Sequence, residues 1–224
     1  MINNYNRLPI GKYIDICAIY ADTSLDDLTK QVKTLSILTD KTEDDILDLP
    51  ILEYQGMAKE AKFLEASFSI PKDAGRIGRT YNLGKWKLKP VSEIGKMSTA
   101  QYVDFQHLCD DPLHHLPELV SVFLVPEGHK YNTGYDIIEL QDDIRNTLCV
   151  ADASSLLAFF LQKFNASIKG ILLYSKLQTK MMRDKTKRAE MEARIRQAEM
   201  SLAESGDGLQ MLMELPRPAD VVGM

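Results

Sequence analysis

The chain has 224 residues, 45% of them hydrophobic, enough to bury the core of one large or two small domains, which excludes a disordered polypeptide. A formal charge of -5 and a pI near 5.4 exclude a protein whose whole surface coats DNA or an acidic membrane, although they leave room for a local basic patch. Cys17, Cys109 and Cys149 are odd in number and widely spaced, so they read as reduced, packed thiols and not as a disulfide framework.

Residues 1–7 lack the apolar run of a secretory signal, which predicts a chain that stays in the cytosol. Leu8 to Ile19 then alternates Ile10, Lys12, Ile14 and Ile16 behind a Pro-x-Gly turn, and this predicts a short strand. Thr23 or Ser24 is the expected cap of a first helix, with Asp26 and Asp27 in its first turn. Leu28, Val32, Leu35 and Leu38 give that helix its apolar spacing, and it should end near Thr39-Asp40. Thr42 opens a second helix, with Glu43, Asp44 and Asp45 in the first turn and Ile46, Leu47 and Leu49 behind them. Pro50 breaks or re-caps the run, and Ile51 to Phe63 forms a third short helix.

Ser67 to Tyr81, with Pro71, Gly75 and Gly78 among polar residues, predicts a linker or hairpin. The following Lys85 to Lys89 predicts a strand with Trp86 and Leu88 on one face and lysines on the other. Helical spacing resumes from Ser98 to Cys109 through Tyr102, Phe105 and Leu108. It returns from Leu116 to Val125, and Pro126-Glu127-Gly128 closes it. Asp136 to Leu148 is amphipathic through Ile137, Leu140, Ile144 and Leu148.

From Ala151 the longest helical run begins, with the stripe Leu157, Phe160, Phe164, Ile168 and Leu172 continuing to Leu177 and Met181. Lys163, Asn165 and Lys169 interrupt its most apolar part, Leu156 to Tyr174, so no membrane span or membrane partner is expected. Beyond Met182 the character changes. A basic patch of Lys180, Arg183, Lys185, Lys187 and Arg188 precedes a narrow seam of Met191, Ile195, Ala198 and Leu202 on a strongly charged helix. Gly206-Asp207-Gly208 ends it, and Leu209 to Leu215 is a short, methionine-rich apolar cluster.

Gly-Lys-aromatic occurs twice, as Gly11-Lys12-Tyr13 and Gly84-Lys85-Trp86, each time ahead of a helix-like stretch. The repetition predicts two turn-and-strand units, each feeding a helix. The expected fold class is thus α+β, predominantly α: a helical body with short β-hairpins and a long C-terminal helix. Three parts are expected, an N-terminal module over 1–66, a second module and helical core over 67–178, and a charged helix with an apolar tail over 179–224.

Little in this pattern points to chemistry. His107, Cys109, His114 and His115 lie close together, but their spacing fits neither Cys-x-x-Cys nor a helical His-x-x-x-His, and Pro112 interrupts them, so no metal is expected. Gly75-Arg76-Ile77-Gly78-Arg79-Thr80 resembles an anion loop but lacks the Gly-Lys-Ser/Thr ending of a P-loop and precedes a strand, which favours a hairpin turn. Asp26-Asp27 and Glu43-Asp44-Asp45 coincide with helix starts, and Asp142-Asp143 falls on an exposed helix face. No catalytic residues and no cofactor are expected. The basic stretch from Lys176 to Arg196 could contact nucleic acid, yet Glu190, Glu192 and Glu199 accompany it, which favours a solvated helix that docks on a partner helix or on a second copy in a homo-oligomer.

The stretch Leu35-Ser36-Ile37-Leu38-Thr39-Asp40-Lys41-Thr42-Glu43-Asp44-Asp45-Ile46-Leu47-Asp48-Leu49-Pro50, behind the first Gly-Lys unit, resembles the phage tail assembly chaperones and related tail-assembly proteins of bacterial viruses. Such proteins begin with a short Gly-Lys strand pair and carry a Leu-Thr-Gly-Lys-Thr-like turn before an acidic helix start; here Asp40 stands in place of the Gly. The resemblance covers residues 8–66 and extends loosely to Gln101-Tyr102-Val103-Asp104. It implies a non-enzymatic assembly factor in the host cell cytoplasm that holds helical segments of a tape-measure protein. The C-terminal helix lies outside the resemblance, but its apolar spacing continues after the core-like stripe has finished, which makes Met191, Ile195, Leu202, Met211 and Leu212 the expected partner-binding anchors. The alternatives are a structural virion subunit, such as a neck or connector protein, and a nucleic-acid-binding regulator.

Overall fold

Residues 10–21 set the architecture, and they do so as a helix. In a computed structural model that describes residues 1–66, 80–91, 94–109, 111–160, 175–176, 179, 186–196 and 218, the segment expected as a strand is helix α1, Ile10–Ala21. The alternation of isoleucines fits a strand, but Ile10, Tyr13, Ile14 and Cys17 also make an i, i+3, i+4, i+7 stripe, and all four are buried. Packing decides between the two readings, because α1 lies against three other helices and needs apolar side chains on more than one side.

Helix α2 spans Asp27–Thr39. Its cap is Asp26, whose carboxylate accepts from the Thr29 amide at 2.8 Å. The cap is thus neither Thr23 nor Ser24 as expected, and Ser24 instead donates its amide and its hydroxyl to Asp22 in the preceding turn. Val32, Leu35 and Leu38 face inward as their spacing predicts, while Leu28 stays 60% exposed. The helix ends on Asp40, at φ 57°. Lys12 of α1 reaches this corner, donating to the Ile37 carbonyl at 2.8 Å and to Asp40 at 2.6 Å.

Thr42 caps α3, Glu43–Leu47, in a reciprocal box with Asp45, and Pro50 caps α4, Ile51–Glu60, which continues as a 3-10 turn through Glu65. Val32, Leu35 and Ile46, with Tyr54 and Met57 beside them, form a satellite core that holds α3 and α4 on α2. At roughly 1.5–3 kcal/mol per buried aliphatic side chain, those three residues are enough to anchor two short helices.

The sheet is small and antiparallel, in the order β1 (Tyr81–Leu83), β2 (Trp86–Pro90), β3 (Leu124–Pro126). Leu83 pairs with Trp86, leaving Gly84-Lys85 as a two-residue hairpin turn with a positive φ at Gly84, the pattern of a type II′ connection. Helix α5, Thr99–Leu108, starts on a capping box between Ser98 and Gln101. Helix α6, Leu116–Phe123, is shorter than its apolar spacing predicts. Leu124 and Val125 leave it because β2 offers an open edge, and β3 pairs there with Leu88 opposite Pro126. Helix α7, Ile137–Thr147, is capped by Asp136.

Residues 150–160 are helical and pack into the principal core, where Phe160 stacks on Phe123 with ring centroids 4.0 Å apart. A two-residue bridge closes that core. Ile10 donates to the Leu148 carbonyl at 3.0 Å and Val150 to the Leu8 carbonyl at 2.8 Å, pairing Pro9 with Cys149. The fold is α+β and predominantly α. The two Gly-Lys units are not structural repeats, since the first sits inside a helix and the second in a hairpin turn. The predicted linker over Ser67 to Tyr81, up to residue 79, lies outside the described residues, as do Phe164, Ile168, Leu172, Leu177 and Met181.

Candidate interaction surface

Carboxylates that could have suggested catalysis serve local structure here. Hydrogen bonds from Thr29 hold the Asp26 carboxyl below its ordinary range, and the Thr42 hydroxyl does the same for Asp45. Asp143 accepts from the Trp86 indole at 2.6 Å, and Glu139 pairs with Lys85, whose ammonium lies 4.7 Å from the centre of the Trp86 ring. These contacts clamp the hairpin turn onto α7.

The histidine-rich stretch is similarly local. His114 sits 2.9 Å from both carboxylate oxygens of Asp111 and thereby lowers the pKa of that acid. Among the described residues no group of three or more His, Cys, Asp or Glu side chains could hold a metal ion. The described cysteines are all free thiols, and burial pushes Cys17 up to about 12 and Cys149 up to about 11. Such thiols are poor nucleophiles at neutral pH.

Of the expected partner-binding residues, Met191 and Ile195 lie on the helical stretch 186–196. Met191 is half-buried and Ile195 is 7% exposed. Leu202, Met211 and Leu212 lie outside the described residues. The same holds for Lys180, Arg183 and Lys185 of the basic patch, whereas Lys187 and Arg188 are exposed, with Arg188 paired to Glu192 one turn on at 2.9 Å.

A different surface emerges at the turn from α3 to α4. Leu47, Ile51 and Leu52 are 62, 67 and 80% exposed, among the largest exposures of any apolar side chains described. Sequence reading placed all three on helices without separating them from the core. The distinguishing signal lies in their neighbours: Ile46, Tyr54 and Met57 face α2, and Tyr54 also donates its hydroxyl to Gln31 at 2.6 Å. Once those residues are assigned inward, Leu52 is left pointing away from α2.

Comparison with family models, curated proteins and solved structures finds no match to this chain. No helix among the described residues is long and apolar enough to cross a membrane.

Proposed function

We propose that this protein is a non-enzymatic assembly factor of a bacterial virus, similar to the tail assembly chaperones, that holds a helical segment of a tape-measure protein in the host cytoplasm before tail polymerisation. The observation that carries the reading is the exposed aliphatic group Leu47, Ile51 and Leu52, in and just beyond the stretch that bears the resemblance. Around it, Asp45 serves a helix start and Glu43 pairs with Lys33 at 2.8 Å, and the exposed aliphatic surface beside them supports adhesion to an apolar partner. Met191 on the described helical stretch 186–196, with Leu202, Met211 and Leu212 beyond it in sequence, supplies further anchors in this reading, whereas Ile195 is already buried.

Co-expression with a tape-measure protein followed by pull-down tests the proposal. Capture by the full chain is the expected result, and no capture would sink the reading. Capture that is unchanged without residues 183–224 would remove the C-terminal anchors from it. Light scattering separates the alternative, a structural virion subunit: a closed ring favours that subunit, and a monomer or small oligomer favours the assembly factor.

A further inference from the structure

One exposed leucine is ordinary on any protein surface, but three exposed aliphatic side chains between positions 47 and 52 are a local concentration of apolar surface. They do not serve the fold, since Ile46, Tyr54 and Met57 already hold α3 and α4 on α2. The exposed charge beside them is acidic. Of the six carboxylates in residues 40–53, Asp40 pairs with Lys12, Glu43 pairs with Lys33 and Asp45 closes the capping box of α3, which leaves Asp44, Asp48 and Glu53. Asp44, Asp48 and Glu53 are exposed among the aliphatics.

We infer that the α3–α4 corner docks a basic amphipathic helix of another protein. Its aliphatic seam covers Leu47, Ile51 and Leu52, and its lysines and arginines face Asp44, Asp48 and Glu53. Charge complementarity selects this occupant: an acidic helix would meet like charges, whereas a basic one is steered toward the corner and held in register there. The chain's own basic helix does not fill the role, because Ile195, at the middle of its seam, is already buried. The inference deepens the assembly-factor reading and rests on it for the existence of a partner helix.

The test titrates the full chain against a fluorescent peptide of about 18 residues, built from leucine, lysine and alanine, with leucines at three- and four-residue spacing and lysines opposite. Saturable binding is expected, weakened about tenfold or more by Ile51→Ser with Leu52→Ser and by exchange of the peptide's lysines for glutamate. The thermal unfolding of the double variant should match the parent, since both side chains are exposed. Equal binding of the variant, or equal binding of the two peptides, would overturn the inference. So would a parent dimer that the same substitutions dissociate, because the corner would then belong to a second copy. Peptide binding without tape-measure capture keeps the corner and removes the phage assignment; capture without peptide binding removes the corner.

Discussion

Arg145 of α7 lies directly across Gly11 of α1. A Cβ built on Gly11 would come within 2.8 Å of the Arg145 Cγ and 3.1 Å of its carbonyl oxygen, while the guanidinium reaches on to Asp15 at 2.8 Å. The glycine of the first Gly-Lys unit is therefore a packing residue that lets two helices approach closely.

Gly11→Ala should destabilise the protein. The gain in helix propensity, about 1 kcal/mol, is set against overpacking of about 1–3 kcal/mol, and the backbone carbonyl cannot swing aside as a side chain can. Gly56, inside α4 with nothing within 4 Å of its would-be Cβ, is the control: Gly56→Ala should stabilise by about 0.5–1 kcal/mol. Urea unfolding followed by circular dichroism measures both. A stabilised Gly11→Ala variant would refute the close-approach argument.

Asp40 holds the left-handed position that ends α2, where glycine is the least strained residue. Asp40→Gly removes that strain but also the pairing with Lys12, which at 24% and 78% side-chain exposure is worth little. The expected order of stability is therefore glycine equal to or above aspartate, and alanine about 1 kcal/mol below. Thermal unfolding of the three proteins checks the order, and an alanine variant as stable as the parent would contradict it.

Trp86 is the single tryptophan, and its indole donates to Asp143. Trp86→Phe keeps the ring packing and loses a hydrogen bond to a half-buried carboxylate, at a cost of about 1.5–3 kcal/mol. Asp143→Asn, which retains an acceptor, should cost less. The Trp86 emission of the Asp143→Ala variant should shift as the indole loses its partner. An unchanged spectrum would mean that the contact is not made in solution.

Glu127 accepts from Lys87 and Lys89, both at 2.6 Å, and those hydrogen bonds lower its pKa from 4.5 to about 2. A folded pKa below the ordinary value means that the folded state binds fewer protons in that interval than the unfolded one. Stability from this group is thus complete above about pH 4.5 and declines as the pH falls toward about 2. Glu127→Gln should flatten acid unfolding within that window and lower stability above about pH 4.5, where the lost contribution is complete, by the modest amount an exposed pair supplies. Carboxyl NMR titration reads the group directly, and a midpoint near 4.5 would refute the pairing.

Cys17 and Cys149, pushed up to about 12 and about 11 by burial, should resist iodoacetamide at about pH 8 and react once the chain is unfolded. Peptide mass mapping of native and denatured samples separates the two cases. Rapid native labelling of Cys17 would show that α1 opens readily.

Several helix starts were legible without the fold because their signals are local. Ser98 with Gln101, Thr42 with Asp45, and Asp136 ahead of Ile137 each satisfy amides two or three residues away, so the residues themselves carry the geometry. The hairpin turn at Gly84 is of the same kind, as is the break at Pro50; Pro126 was expected to close α6, which instead ends at Phe123. The Leu47, Ile51 and Leu52 corner was not legible, because whether a leucine faces in or out depends on where α2 lies.

The twice-occurring Gly-Lys-aromatic shows where local information ends. At Gly84 the flanking strands pair with each other, so the tripeptide becomes a turn; at Gly11 it lies inside α1, with Tyr13 buried, Lys12 clamping the end of α2 and Gly11 making room for Arg145. Sequence alone determined the helix starts at Thr42, Ser98 and Asp136, the turn at Gly84 and the predominance of helix, since those depend on hydrogen bonds a few residues long. Tertiary structure decided that residues 10–21 coil and that 124–126 extend. Those outcomes depend on burial against α2, α6 and α7, and on the open edge of β2, which no neighbouring residue in the chain can supply.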